Sequence, residues 1–540
     1  MREEQQQEKQ QEEEAARTKQ KVISDLLVLA VIALIVRALT VGYTIIWSKV
    51  ISSYKSTNEL LCDEGESSLW SWVQCFCSWD GEYFLRLSLN GTEYLYEQNH
   101  AFFPALPLVV GYIKRVVKGW FPNVGACSLH VLIGIICNTF LFVFSVIGLH
   151  LFVFTSLSVR RAHMGAYSPK ESAKKGVNYM QNVKCLEDCR RLSFLAALLF
   201  TFNIGNIHMS SFYSQGFFSC LSIWGFTFLQ WSLNVSKGGF TFELLAVLSF
   251  SVASFFRSNG ILFLIPLFVH SLRTCAFYVH CAGVVSRRWG QSKTDRAQML
   301  RHFSDIGMLL SPLSDRRIFL KFILHWGKAL LEAALVVLPL LTFQAYAYHL
   351  YCVQGYDDNL WREEQRKFHS FALSFWANPL QYVRGWSYPH REDQPIRRPW
   401  CEKIVPFIYN YIQHKYWGVQ FLKLLRSPSA NVLYASPVYF MSFHVVYHFF
   451  RHRTFSDGEA SLLFIPPFLG EVLHLGVLSF YLFIFAHGEI ILRLIASSPL
   501  FYTHYAYQIK YSDKWNLILL ANLVYFFVGP PLFGTYIAWT

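Results

Sequence analysis

The chain is expected to be an all-α polytopic membrane protein, and three observations predict that class. Only 15% of its 540 residues are charged while 53% are hydrophobic. A soluble chain carries roughly 25% charged residues, so the solvent here is largely hydrocarbon. Apolar runs long enough to cross a bilayer core recur along the sequence, at 22–47, 130–154 and 517–539 among others; each crossing needs about 20 mostly apolar residues, and about 11 such helices can be placed. Lysine and arginine, finally, are concentrated in alternate loops, as they are when basic loops stay cytosolic.

Taken in order, residues 1–21 form a Glu/Gln/Lys tract without core-forming residues, "MREEQQQEKQQEEEAARTKQK". Such a composition cannot bury a core and reads as a disordered or loosely helical cytosolic tail. The span after it is too long for a cleaved leader and reads as a signal anchor. Further spans are expected near 192–206, 211–232, 240–256, 260–280, 322–350, 428–450, 461–485 and 489–506. No repeat or separate soluble unit interrupts them, so 22–540 reads as a single membrane domain.

Loops 157–191 and 281–321 each carry eight Lys/Arg against three acids, whereas 49–100 carries three against eight. The net charge of +13 is therefore a signature of membrane orientation and not of nucleic-acid binding. With the basic loops cytosolic, the longest non-cytosolic stretches are 49–125 and 351–426, and polar chemistry is expected there. Within the first, 106–121 is short for a span and suits a helix lying along the membrane surface.

Among twelve cysteines, Cys62, Cys75, Cys77, Cys352 and Cys401 fall on that side and can pair in an oxidising compartment; spacing does not choose the partners. Cys137 and Cys220, inside spans, suit buried thiols. Cys185 and Cys189 lack the second Cys/His pair a metal site would need. Of two sequons, at Asn90 and Asn234, only the first is non-cytosolic.

The most informative stretch is "SWDGEYFLRLSLNGTEYLYEQNHAFFPALP", residues 78–107. A cluster of acids is ordinarily a solvated loop, but here Asp80, Glu82, Glu93 and Glu97 are interleaved with Trp79, Tyr83, Phe84, Tyr94, Tyr96, Phe102 and Phe103. Aromatic walls with a few placed polar groups line sugar-binding clefts. Asp80 and Glu82 could ligate a divalent cation or act on a hydroxyl proton as general base. Two carboxylates alone are thin ligation, which favours the base.

Arg257 and Arg493 form a second set, set among apolar runs. A mid-bilayer arginine costs about 2.5–3.5 kcal/mol on insertion scales, so each either snorkels to an interface or holds an anion. Phosphate matches the guanidinium fork. A third set is "RRPWCEKIVPFIYNYIQHKYWGVQFLKLL", 397–425. It suits an amphipathic helix over the first loop and equally, with Arg397 and Arg398 at its start, a cleft wall for an acidic headgroup.

The motifs together resemble the GPI mannosyltransferase II (PIG-V type) family. "WDGEYFLRLSLNG" and "YLYEQNHAFFPALPL" are similar to its first lumenal loop, "FRSNG" to its R-S-N-G, "PLLTFQAYAY" to its F-Q-x-Y run, and "RPWC" with "IYNYIQHKYWGVQFL" to its later elements. The ordered set extends from residue 78 to about 502, ending in "HGEIILRLIASSPLFY". One departure is "SFYSQGFF", where Gln215 stands in place of the family's usual acid.

The resemblance implies a GT-C-type fold with its active site on lumenal loops, and a multi-pass endoplasmic reticulum protein with a cytosolic N-terminus. It implies transfer of the second mannose, α1,6-linked, from dolichyl-phosphate mannose to the mannosyl-glucosaminyl-(acyl)phosphatidylinositol glycolipid, with inversion. No cofactor or metal is implied and no nucleic acid; the partners are the two lipid-linked substrates and the bilayer, with room for a small membrane accessory subunit.

Carried onto matching positions, Asp80 is expected as the base with Glu82 beside it. Substrate contacts are expected from Trp79, Asn99, Phe102, Phe103, Arg257, Asn259, Gln344, Arg398, Trp400, Tyr409, Gln413, Trp417 and His487. Arg257, Arg398 and His487 are the candidates for neutralising the leaving phosphate. Competing readings are a related transferase with another lipid-linked acceptor and a transporter, though the paired inverted repeats of transporters are not evident.

Overall fold

The structure, a computed structural model, describes residues 2–51, 61–62, 69–165, 183, 185–234, 238–275, 316–353, 367–380, 398–426, 429–451, 468–512 and 516–537. Lys170, Lys174, Lys175 and Lys184 of the first basic loop, Arg287 and Arg288 of the second, and Arg397 lie outside the described residues.

The described chain is helical, with β pairing confined to an isolated antiparallel bridge between Glu93 and Lys367. Helix α1 is Arg2–Val50, α2 Asp80–Leu89, α3 Ala105–Val117, α4 Ala126–Gly165, α5 Leu186–Thr201, α6 Gln215–Asn234 and α7 Gly239–Phe256. They are followed by α8 (264–275), α9 Arg316–Tyr348, α10 Phe368–Ala377, α11 Ile408–Lys415, α12 Ser429–Arg451, α13 Leu469–Phe485, α14 Pro499–Tyr511 and α15 Asn516–Gly534.

Among the described residues, four stretches are long and apolar enough to cross a membrane: Gln20–Val50, Ala126–Ser158, Gly239–Phe256 and Phe319–Cys352. Leu469–Phe485 and Leu519–Gly534 are shorter apolar helices. Helix α6 packs between α4 and α7, α5 packs on α4 and α14, and α1 closes against α4, α5 and α15. Exposed Leu27, Val31, Leu34 and Phe140, Phe144 are what lipid-facing helix surfaces look like when water is not the solvent.

Several expected boundaries shift. The tail continues α1 without a break, since Glu, Gln, Lys and Ala are strong helix formers. Residues 489–506 are not one span. A short helix Ile490–Leu494 and a 3-10 turn Ile495–Ser497 precede α14, because Pro499 has no amide to continue the ladder and opens a new helix instead. Pro499 through Tyr507 are all buried, so α14 is wrapped by protein.

Residues 202–214 form an irregular stretch between α5 and α6, longer than the loop expected at 206–211. Part of 78–107, read as a loop, is α2, and α3 occupies the segment expected on the membrane surface, with Tyr112, Val116 and Trp120 exposed. Among the described residues of 397–425, the α-helical part is α11, with a 3-10 turn beginning at Leu424.

Polar side chains inside the apolar bundle tie down the 202–214 stretch. Arg37 of α1, fully buried, donates to the carbonyls of Asn206 (2.8 Å) and Thr201 (3.2 Å) and to Ser210 Oγ (3.2 Å), with Phe142 stacked on its guanidinium at 4.1 Å. The carbonyls at the end of α5 would otherwise be unpaired. Asn138 of α4 donates through Nδ2 to the carbonyls of Ser211 (2.7 Å) and Tyr213 (3.0 Å). An intramembrane arginine and asparagine are thus used to hold a piece of irregular backbone, which is where the site begins.

Two disulfides lie at or beyond the ends of the spans, Cys62–Cys127 and Cys352–Cys401, with Cys127 in the first turn of α4 and Cys352 the last residue of the stretch Phe319–Cys352. Cys75 and Cys77 are buried thiols, and burial pushes Cys75 up to about 12. Cys185 is the N-cap of α5, its Sγ accepting the Asp188 amide at 3.4 Å.

Candidate active site

Asp80 opens α2, and the residue before it is strained. Trp79 adopts φ 57°, ψ −119°, a region that a bulky side chain enters at a cost of order 1–3 kcal/mol. Such a conformation persists only where its surroundings over-determine it, and here the clamp is Tyr213. The Tyr213 hydroxyl donates to the Ser78 carbonyl (3.1 Å) and accepts from the Asp80 amide (3.1 Å), spanning the turn on both sides of Trp79. Phe212 adds a second tie, its amide donating to the Phe76 carbonyl at 2.9 Å.

This aims the Asp80 carboxylate at Arg493. Arg493 Nη1 lies 2.5 Å from Asp80 Oδ2, the arginine side chain 9% and the aspartate side chain 22% exposed. The short helix carrying Arg493 is seated on Gly205, where a Cβ would stand 2.7 Å from the Leu492 carbonyl oxygen and 3.1 Å from Arg493 Cα. Only glycine permits that approach.

Arg257 follows α7 in extended conformation and donates through Nη1 to Gln215 Oε1 at 3.0 Å. Burial and the nearby Arg493 push its guanidinium down to about 9, with Asp80 opposing them, so it is a cation at neutral pH. Gly260 permits this turn: a Cβ there would meet Ser254 Cα at 2.4 Å. Two guanidiniums therefore share one neighbouring carboxylate, because Gln215, where the resembling sequences were expected to carry an acid, is neutral.

Aromatic side chains wall the site. Tyr83 stacks on Phe102 at 4.4 Å, and Trp417 meets both edge-on at 5.6 Å. Phe103 packs on Phe343 and Tyr409. Tyr409 bonds Ser258 Oγ at 2.5 Å, and its amide donates to Gln344 Oε1 at 3.3 Å. Beyond Tyr409 opens a cavity of about 250 Å³ lined by Lys403, Val405, Phe407, Asn410, Gln413 and Tyr481 as well. Side-chain N–H groups of Trp79, Asn259, Gln344 and Trp417 are buried without partners, donors of the kind a hydroxyl-rich ligand can satisfy.

Other expected site residues have structural partners. Arg398 pairs with Glu97 Oε1 at 2.5 Å and lies over the Tyr351 ring. Trp400 donates to the same carboxylate at 3.0 Å, and Tyr416 to Glu97 Oε2 at 3.2 Å. Glu97, buried and triply engaged, clasps the segment 398–416 onto the loop that follows α2, beside the Cys352–Cys401 bridge. His487 Nε2 lies 2.6 Å from the Trp417 carbonyl oxygen, to which it donates. Asn99 is buried in the 3-10 turn Glu97–Ala101. Glu82 sits two residues past Asp80, about 200° around the helix, so the two carboxylates face apart and do not form a chelating pair.

Sequence did not single out Tyr213 or Glu97 for the site, and for Arg493 it gave the cation but not its partner. Tyr213 looks like one more aromatic in an apolar run, and Glu97 like one acid among several. Arg493 stands out as a buried cation, but its partner is 413 residues away and has no local signal.

A profile of the family described as Mannosyltransferase (PIG-V) matches residues 19–167 and 175–539. The GPI mannosyltransferase 2 of Drosophila pseudoobscura pseudoobscura is 26% identical over 479 residues, 86% of each chain. The human GPI alpha-1,6-mannosyltransferase 2 is 27% identical over 366 residues, 67% of this chain and 55% of its own. Among solved structures, the archaeal oligosaccharyltransferase AglB of Archaeoglobus fulgidus aligns with 97% of this chain and 56% of its own at TM-score 0.41 and 12% identity, too distant a likeness to carry any argument. With the family profile covering nearly its whole length, the chain belongs to the PIG-V mannosyltransferase family of membrane-embedded glycosyltransferases.

Proposed function

We propose that the protein adds the second mannose, in α1,6 linkage, to the mannosyl-glucosaminyl-(acyl)phosphatidylinositol precursor of GPI anchors, with dolichyl-phosphate mannose as donor. The relatives' names support the GPI acceptor. The observation that carries the chemistry is the clamped carboxylate of Asp80 facing Arg493, with Arg257 beside them.

In this reading, Asp80 removes the proton of the acceptor's 6-hydroxyl as its oxygen bonds to C1 of mannose. The C1–O bond to phosphate breaks on the opposite face, its electron pair staying with the phosphate oxygen. A β-linked donor thus gives an α product in one displacement. A general base is typically worth about 10²–10⁴ in rate. The phosphate needs charge neutralisation and no proton, which Arg257 and Arg493 supply. Trp417 and Tyr83, both half-buried, offer ring surface to the sugar, with Phe102 stacked behind Tyr83.

A GT-C-type fold, a lumenal site and a cytosolic N-terminus complete the reading. They are supported by the loop charges and by disulfides on the two segments that build the site, since disulfides persist in oxidising compartments. Depletion of the protein is expected to remove GPI-linked proteins from the cell surface and to accumulate the one-mannose precursor. Accumulation of a precursor at any other stage would contradict the acceptor assignment.

A further inference from the structure

We propose that Arg493 is shared between Asp80 and the donor phosphate, so that arrival of the donor draws the guanidinium off the carboxylate and frees Asp80 to act as base. This rests on the donor reading above and deepens it, assigning Arg493 a role that the position of Arg257 alone would not require.

Three observations carry it. Arg493 is bound to the one carboxylate the mechanism needs free, through Nη1 to Oδ2 at 2.5 Å; a carboxylate paired with a guanidinium is a weaker proton acceptor than a free one. Arg493 is also incompletely used: it is 7% exposed, yet its Nε is buried without a hydrogen-bond partner. A planar fork with one donor unpaired is suited to a second, tetrahedral anion approached from that edge. The third observation is charge. Among the described residues Arg257 donates to the neutral amide oxygen of Gln215 and to no carboxylate, so Arg257 and Arg493 together exceed Asp80 by one positive charge, and a phosphodiester monoanion restores balance.

The handover gives the reaction an order. Without donor, Asp80 is held by Arg493 and its basicity towards the acceptor hydroxyl is lowered. With donor bound, the same guanidinium neutralises the leaving phosphate while the released carboxylate turns to the hydroxyl. No atom is gained or lost in the exchange; one ion pair replaces another.

Competition for one guanidinium makes a prediction that a fixed phosphate site does not. Binding of dolichyl phosphate to the purified full-length chain in detergent should tighten by about tenfold in Asp80→Asn, because the rival carboxylate is gone, and weaken by about tenfold or more in Arg493→Gln. In the double variant the gain from Asp80→Asn should vanish. Arg493→Lys, which keeps the charge but not the fork, should raise the donor KM and leave the acceptor KM unchanged; it also serves if Arg493→Gln is not monodisperse. Equal or weaker binding by Asp80→Asn, or the same gain in the Arg493→Gln background, would overturn the handover while leaving the donor assignment standing. A wild-type chain that transfers mannose but binds no dolichyl phosphate would remove both.

Discussion

The two ends of α5 handle charge in opposite ways. At its start, Arg190 lies between Asp25 (2.6 Å) and Glu187 (2.7 Å), and Lys510 pairs with Asp188 (2.7 Å). Every one of these cations has a carboxylate, and Arg190 holds Glu187 down to about 2. At its far end, about 24 Å along the helix axis, the chain turns under Arg493 at Gly205. There two guanidiniums face one carboxylate, one Nε is unpaired, and the residue before the carboxylate is strained. The closed network is an architectural device, tying α1, α5 and α14 together. The open one carries one positive charge more than it has carboxylates, which is the balance expected of the proposed phosphate site.

The comparison can be broken at the open end first. Asp80→Asn should lower mannose transfer by about 10²–10⁴, more than the accompanying loss of detergent stability accounts for: the variant leaves the buried Arg493 guanidinium without its carboxylate, while the Tyr213 clamp, which uses the backbone amide, is kept. Arg493→Gln should cost about 10² in turnover and also some stability, since it leaves Asp80 half-buried and without its partner. Gly205→Ala should act through the same group, pushing Leu492 and Arg493 away; a loss of about 1–3 kcal/mol in stability is expected, with turnover falling alongside. Gly119→Ala, where nothing lies within 4 Å of the added Cβ, should be silent.

The closed end should respond with stability alone. Arg190→Gln is expected to lower the thermal midpoint by about one degree, corresponding to about 1 kcal/mol for a partly exposed pair, and to leave kcat and donor KM unchanged. Because the Glu187 pKa is depressed, its contribution is present above the ordinary carboxylate range and is lost as pH falls toward 2. Protection of the first turn of α5 against hydrogen exchange, relative to the intrinsic rate at each pH, should therefore fall in acid in the wild type and change little in Arg190→Gln.

Much of this was legible in sequence because membrane helices write themselves in composition. The apolar runs at 22–47 and 130–154 correspond to long helices, and Asp80 stood out as an acid framed by Trp79 and Tyr83. The run at 489–506 misled because hydropathy does not register Ser-Ser-Pro as a break, although Pro499 cannot donate to the preceding turn. The ion pair of Asp80 with Arg493 and the bridging hydroxyl of Tyr213 depend on the packing of segments far apart in the chain. Arg398 and His487 had the right charge and the right neighbourhood in the motif. The structure engages them with Glu97 and the Trp417 carbonyl, contacts that charge counting does not anticipate.

The most direct test of the central claim is a microsomal assay with labelled dolichyl-phosphate mannose and the one-mannose GPI precursor, comparing wild type, Asp80→Asn and Arg190→Gln at matched expression. Formation of the two-mannose lipid by wild type and Arg190→Gln, and its loss in Asp80→Asn, is the predicted result. Equal activity in all three would show that Asp80 is not the base, and an inactive wild type on this acceptor would contradict the proposed function itself.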